Sequence, residues 1–195
     1  MNGRPLPPRP GAAGSVPGPM RPAPVATRSG SALVTPAARR VVVGIGEVAV
    51  TNQPGHAIVT HALGSCIAVI MHDPNVPCAG LLHFLLPESR INPERAGNQP
   101  ATFADTGIPL LLDLARQRGM EPGRSRIWLI GGAEVNGAGV LNVGKRNLLA
   151  ARNILWRAGL MVHKEAVGGT DARTASVTVS EGLVEVSTAG HATTL

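Results

Sequence analysis

Tyrosine is absent from this chain of 195 residues, and only two Phe and two Trp occur in it. With so few rings to stack on bases, nucleic acid is not expected as a partner. Long apolar runs are missing as well, and none could span a bilayer, so membrane insertion is not expected either. The two cysteines, Cys66 and Cys78, are too few for a disulfide framework and fit a reducing cytoplasm. No C-x-x-C or H-x-x-x-H spacing occurs, so a zinc site built from Cys66, Cys78, His61 and His83 has little support, and no metal or organic cofactor is expected. Phosphate loops are missing too: there is no G-x-x-x-x-G-K-[ST], and G-I-G at 44–46 lacks the third glycine and the following helix of a dinucleotide fingerprint.

Acidic residues are absent from one region only. Residues 1–40 carry six arginines and no acid, so the formal charge of +6 resides there, while residues 41–195 hold twelve bases and twelve acids. Nine of the seventeen prolines also fall in 1–40, among Gly, Ala and Ser. Such a composition cannot bury enough apolar surface to offset its ordering entropy, so 1–40 is expected to be a disordered tail. It lacks the apolar core of a secretory signal, and its prolines spoil the amphipathic helix of a transit peptide.

Residues 41–195 read as one α/β domain, a mixed β-sheet with two main helices packed on it in a layered sandwich. Val41–Thr51 predicts a strand pair kinked at Gly44 and Gly46, and Ala57–Thr60 a further extended piece. Ala104–Gln117 predicts a helix with Ile108, Leu111, Leu112 and Ala115 on one face, and Gly144–Ala158 a second with Leu148, Ala151, Leu155 and Ala158. Strands are expected over Arg126–Ile130, Leu160–Ala166, Thr174–Val179 and Leu183–Ser187, the last two joined at Glu181-Gly182. Gly131-Gly132 and Gly168-Gly169 read as tight turns, Asp105 as an N-cap and Arg173 as half of a surface ion pair.

Thr60 to Pro87 is the segment that carries chemistry. Ile67–Met71 and Leu81–Leu86 are short apolar runs separated by the turn residues Asp73-Pro74-Asn75, a pattern for an antiparallel hairpin. A reversal near Asn75 sets Cys66 across from position 83 or 84, so Cys66 and His83 become a cross-strand or diagonal pair. Gly64 and Ser65 leave the backbone before the thiol open to a substrate. Two readings stand side by side here: a nucleophile with its base, and a buried core thiol beside a hydrogen-bonded histidine. His61, close by, reads as an exposed loop residue.

A Thr, five residues, a Cys and sixteen residues to a His is the spacing of Thr60, Cys66 and His83, and it resembles the signature of the CheD family of chemoreceptor glutamine deamidases. The blocks V-V-V-G-I-G-E-V-A-V (41–50), F-A-D-T (103–106), I-G-G-A (130–133), V-G-K-R-N (143–147) and G-G-T-D-A-R (168–173) resemble family blocks in family order. Departures are His61-Ala62, where relatives more often carry Leu-Gly, and Glu134-Val135 after I-G-G-A. The resemblance implies a protein-glutamine glutaminase with Cys66 as nucleophile, His83 as general base and acid, and Thr60 as the residue orienting the imidazole through its hydroxyl or carbonyl. It implies glutamines on the cytoplasmic helices of chemoreceptors as substrate and a CheC-type phosphatase as regulatory partner. Hydrolysis of receptor glutamate methyl esters through the same thioester, and a non-catalytic adaptor role, are the alternatives. In the catalytic reading Cys66 is expected to rest as a thiolate beside an imidazolium at His83.

Overall fold

The computed structural model describes Gly3, residues 39–134 and residues 142–195. The expectation for the tail falls almost wholly outside the described residues, as does Val135. Ten strands, three α-helices and short 3₁₀ turns make up the described part, and the described residues from Arg39 onward belong to one compact unit.

Two five-stranded sheets stack face to face. The first runs β1(Arg39–Val42), β3(His56–Leu63), β8(Arg173–Thr178), β9(Val184–Thr188), β10(His191–Thr194); only β1 and β3 are parallel. The second runs β2(Glu47–Thr51), β5(Cys78–Phe84), β4(Ile67–Asp73), β6(Arg126–Gly131), β7(Lys164–Val167), with only β6 and β7 parallel. Every residue of β4 and β5 is buried, which explains why these strands read as continuous apolar runs rather than alternating ones. One face of the second sheet, with Ala68, Ile70, Leu81 and Ile130, packs against Ile58, Ala175, Val177 and Val186 of the first. Its other face, with Ile67, Val69, Leu82 and Leu129, is covered by α2(Ala104–Gln117) and α3(Val143–Arg157). A small helix, α1(Pro93–Asn98), precedes α2.

The layered α/β sandwich therefore holds, with two sheets where one was expected. The helix α2 has the expected bounds and buries Ile108, Leu111, Leu112 and Ala115. In α3 the apolar stripe is Gly144, Asn147, Ala151 and Leu155; Leu148 is half-buried and Ala158 exposed. The predicted strand pair over 41–51 forms two strands that part company at Gly44 to Gly46, β1 joining the first sheet and β2 the second. Strand β10 was not foreseen, because His-Ala-Thr-Thr at an edge has almost no apolar signal. The hairpin ladder pairs Asp73 with Cys78 and Ile67 with Phe84, so its reversal lies between Asn75 and Val76 and Cys66 falls across from Leu85. The Asp73 carboxylate accepts the Asn75 N–H at 3.0 Å, an Asx turn that keeps Asp73 within the ladder and sets that register. Cys66 and Cys78 are both free and lie on opposite faces of the sheet.

Candidate functional site

Strand β3 delivers Thr60 to the space between the sheets. Its parity matches Ile58, so both side chains face the second sheet, and the pairing of β3 with β8 shifts register just beyond it, between Thr60 and Leu63. Within this bulge Ala62 adopts φ 57°, a left-handed conformation uncommon for a residue with a Cβ. Thr60 is fully buried, and its hydroxyl lies 2.7 Å from the Val43 carbonyl and 2.7 Å from His83 Nδ1.

Those two distances fix the histidine's protonation. A hydroxyl has one proton, and the Val43 carbonyl can only accept, so Thr60 donates to Val43 and must accept from Nδ1–H. His83 is thereby held as the Nδ1–H tautomer with its Nε2 lone pair free. Nε2 is buried and has no hydrogen-bond partner among the described residues, Cys66 Sγ included. Of the two groups expected on Thr60, it is the hydroxyl that touches the ring. The backbone of His83 is anchored as well, its carbonyl accepting Gly46 N–H at 2.7 Å, and Glu47 of β2 lies opposite it in the ladder.

Cys66 sits one step before β4, on the same face as Ala68 and hence as His83, its diagonal neighbour. Two glycines let the backbone close around it. Gly131 has φ 116°, and a Cβ there would lie 2.2 Å from the Cys66 carbonyl; Gly132, at φ 67°, donates its N–H to that same carbonyl at 2.8 Å. Gly131-Gly132 is thus a close approach as well as a turn. Gly168-Gly169 has φ 75° and 73°, as a turn requires, with Gly168 N–H bonded to Gly131 O at 2.9 Å.

The resting charge state differs from the expected thiolate and imidazolium. Burial pushes the Cys66 thiol above its ordinary value, and its own backbone N–H only partly opposes this. Burial pushes His83 down to about 4, with the Glu47 carboxylate pulling weakly the other way. Both groups are therefore neutral near pH 7. A sealed, low-dielectric slot disfavours each charge separately, and the sequence pattern carried no information on that.

Asn147 was missed by sequence reasoning beyond its place in the V-G-K-R-N block. It is fully buried, and its Nδ2 donates to Ser65 O at 3.0 Å and to Leu85 O at 2.8 Å. The available signal was an asparagine in phase with Ala151 and Leu155 on the apolar stripe of α3. The helix comes so close because Gly144 lacks a side chain: a Cβ there would meet Gly132 O at 2.6 Å.

Other expected residues fall elsewhere. His61 is exposed and reaches Thr174 Oγ1 at 3.3 Å. Asp105 lies inside the first turn of α2, where Phe103 is the N-cap, and accepts the Ser89 N–H and hydroxyl instead. Arg173 forms no ion pair among the described residues; it is half-buried and pairs with Leu63 in the sheet. The site is assembled from both sheets, so Thr60 faces the pair formed by the hairpin rather than extending it.

Residues 85–188 match the family model described as CheD chemotactic sensory transduction. A protein of Syntrophotalea carbinolica named "Probable chemoreceptor glutamine deamidase CheD" is 43% identical over 154 residues, 77% of this chain and 95% of that one. A protein of the same name from Solibacter usitatus is 41% identical over 144 residues, covering 73% of this chain and 85% of the relative. "Chemoreceptor glutamine deamidase CheD" of Thermotoga maritima is 34% identical over 149 residues, 76% of this chain and 92% of its own. Among solved structures, Bacillus licheniformis YfiH aligns over 61% of this chain and 49% of its own, with a TM-score of 0.42 and 14% identity. The chain belongs to the CheD family.

Proposed function

We propose that this protein deamidates glutamine side chains on the cytoplasmic helices of chemoreceptors, with Cys66 as nucleophile, His83 as base and acid, and Thr60 as the residue that fixes the imidazole. The observation that carries the mechanism is the buried, unpartnered Nε2 of His83, made a proton acceptor by Thr60. The Cys66 thiol gives its proton to Nε2 as Sγ bonds to the carboxamide carbon, so the ion pair forms during attack instead of existing beforehand. The oxyanion accepts a hydrogen bond from Cys66 N–H. Collapse of the tetrahedral adduct breaks the C–N bond, Nε2–H protonates the departing nitrogen, and ammonia leaves a thioester. Water then gives a proton to Nε2 and its oxygen to the acyl carbon; the expelled thiolate takes that proton back, and glutamate is released. Throughout, the Thr60 hydroxyl holds Nδ1–H and keeps Nε2 aimed at the reacting atoms.

Action on receptor cytoplasmic helices places the enzyme in the cytoplasm. Among the described residues no helix is long and apolar enough to cross a membrane, which accords with that placement. Through the family, a CheC-type phosphatase is the proposed regulatory partner. Incubation with a receptor cytoplasmic fragment, followed by mass spectrometry of its peptides, is expected to show glutamine converted to glutamate by the wild type and not by Cys66→Ala. Conversion by both proteins, or by neither, would overturn the assignment.

A further inference from the structure

Among the described residues the Asn147 side chain forms no hydrogen bond with the Thr60 or His83 side chains, yet it bonds the backbone of both segments of the catalytic hairpin. Its amide nitrogen has two protons, and both are committed: one to Ser65 O, immediately before the nucleophile, and one to Leu85 O, directly across the ladder from Cys66. Two carbonyls can only accept, so the amide's orientation is settled and Oδ1 faces away from them. That oxygen is buried without a donor among the described residues, so the side chain carries an uncompensated desolvation cost. An apolar residue in this place on α3 would spare that cost but leave the Ser65 and Leu85 carbonyls without these donors, so what the asparagine supplies is the hold on the two carbonyls.

The Ser65–Cys66 peptide is trans, as are all the described peptide bonds, so its C=O and N–H point in opposite directions. Clamping Ser65 O against α3 therefore turns Cys66 N–H the other way, away from α3, and no backbone carbonyl among the described residues accepts it. Resting on the deamidase reading above, we infer that Asn147 is a positioning residue that aims Cys66 N–H as the oxyanion donor. It acts by rigidly holding the Ser65 carbonyl at the mouth of the hairpin. The close approach of α3 permitted by Gly144 is what brings it into reach.

The test separates reactions that build an oxyanion from those that do not. Acylation of Cys66 by p-nitrophenyl acetate passes through a tetrahedral oxyanion, whereas alkylation by iodoacetamide displaces iodide and forms none. Both rates are read at the Cys66 peptide by mass spectrometry, in the wild type, Asn147→Ala and Asn147→Ser. Losing the clamp is expected to lower acylation about 10- to 100-fold while alkylation stays within about threefold, and to lower kcat for receptor deamidation without a matching rise in KM. The serine hydroxyl cannot span both carbonyls, so that variant keeps the test available should alanine fail to fold. A parallel fall of both rates would make Asn147 merely structural, and an unchanged acylation rate would also overturn the inference. Wild-type protein that acylates but leaves receptor glutamines intact would instead sink the proposed function alone.

Discussion

An imidazole sealed between two sheets has its protonation decided by its neighbours rather than by solvent. With a folded value of about 4 against an ordinary 6.5, His83 takes up a proton more readily in the unfolded chain. The stability it contributes is fully present above pH 6.5 and is lost as pH falls toward 4, up to about 3 kcal/mol. Urea unfolding at pH 7 and 4.5 is expected to show a smaller acid loss for His83→Gln than for the wild type; equal losses would mean that the imidazole is not buried neutral. Ala62, also near Thr60, shows strain of another kind. Its φ of 57° costs an L-residue about 1–2 kcal/mol, partly offset by the greater chain entropy of glycine, so Ala62→Gly should stabilise by about 0.5–1 kcal/mol. A lower urea midpoint for that variant would contradict the strained bulge.

Among the elements, the hairpin and the two main helices were legible because their signals are local. Turn residues at Asp73 to Asn75 and a 3.6-residue apolar period over Ala104–Gln117 need no knowledge of partners. The separation of β1 from β2 was not legible, since a chain reading strand, glycines, strand looks alike whether it folds back on itself or crosses between sheets. Nor was the docking of α3 on Gly132, which depends on what lies beneath Gly144. Overpacking that contact makes Gly144→Ala costly, by about 1–3 kcal/mol, because the obstacle at 2.6 Å is backbone that cannot turn aside. Since Asn147 rides on the same helix turn, deamidation should fall further than the folded fraction does; calorimetry beside turnover measurements checks this, and a loss matching the folded fraction alone would refute it.

For the whole molecule, the continuously described fold begins at β1. Arg39 N–H bonds to Gly55 O at 3.0 Å, and β1 goes on to present the Val43 carbonyl that takes the Thr60 proton. Deleting residues 1–38 is therefore expected to leave turnover within about twofold of the full chain, because residues of that composition build no core. Deleting 1–43 should abolish activity by removing the edge strand and the acceptor of Thr60. Assays of both truncations decide it: a large loss on removing 1–38 alone would give the tail a part in catalysis. Sequence by itself determined the periodicities, the turns, the segregation of charge and the spacing of Thr60, Cys66 and His83, all of which depend on neighbours along the chain. Only the tertiary structure decided that Thr60 reaches His83 from the other sheet, that burial keeps thiol and imidazole neutral, and that Asn147 grips the hairpin. Those depend on which distant surfaces meet and how much water they exclude, and no local pattern encodes that.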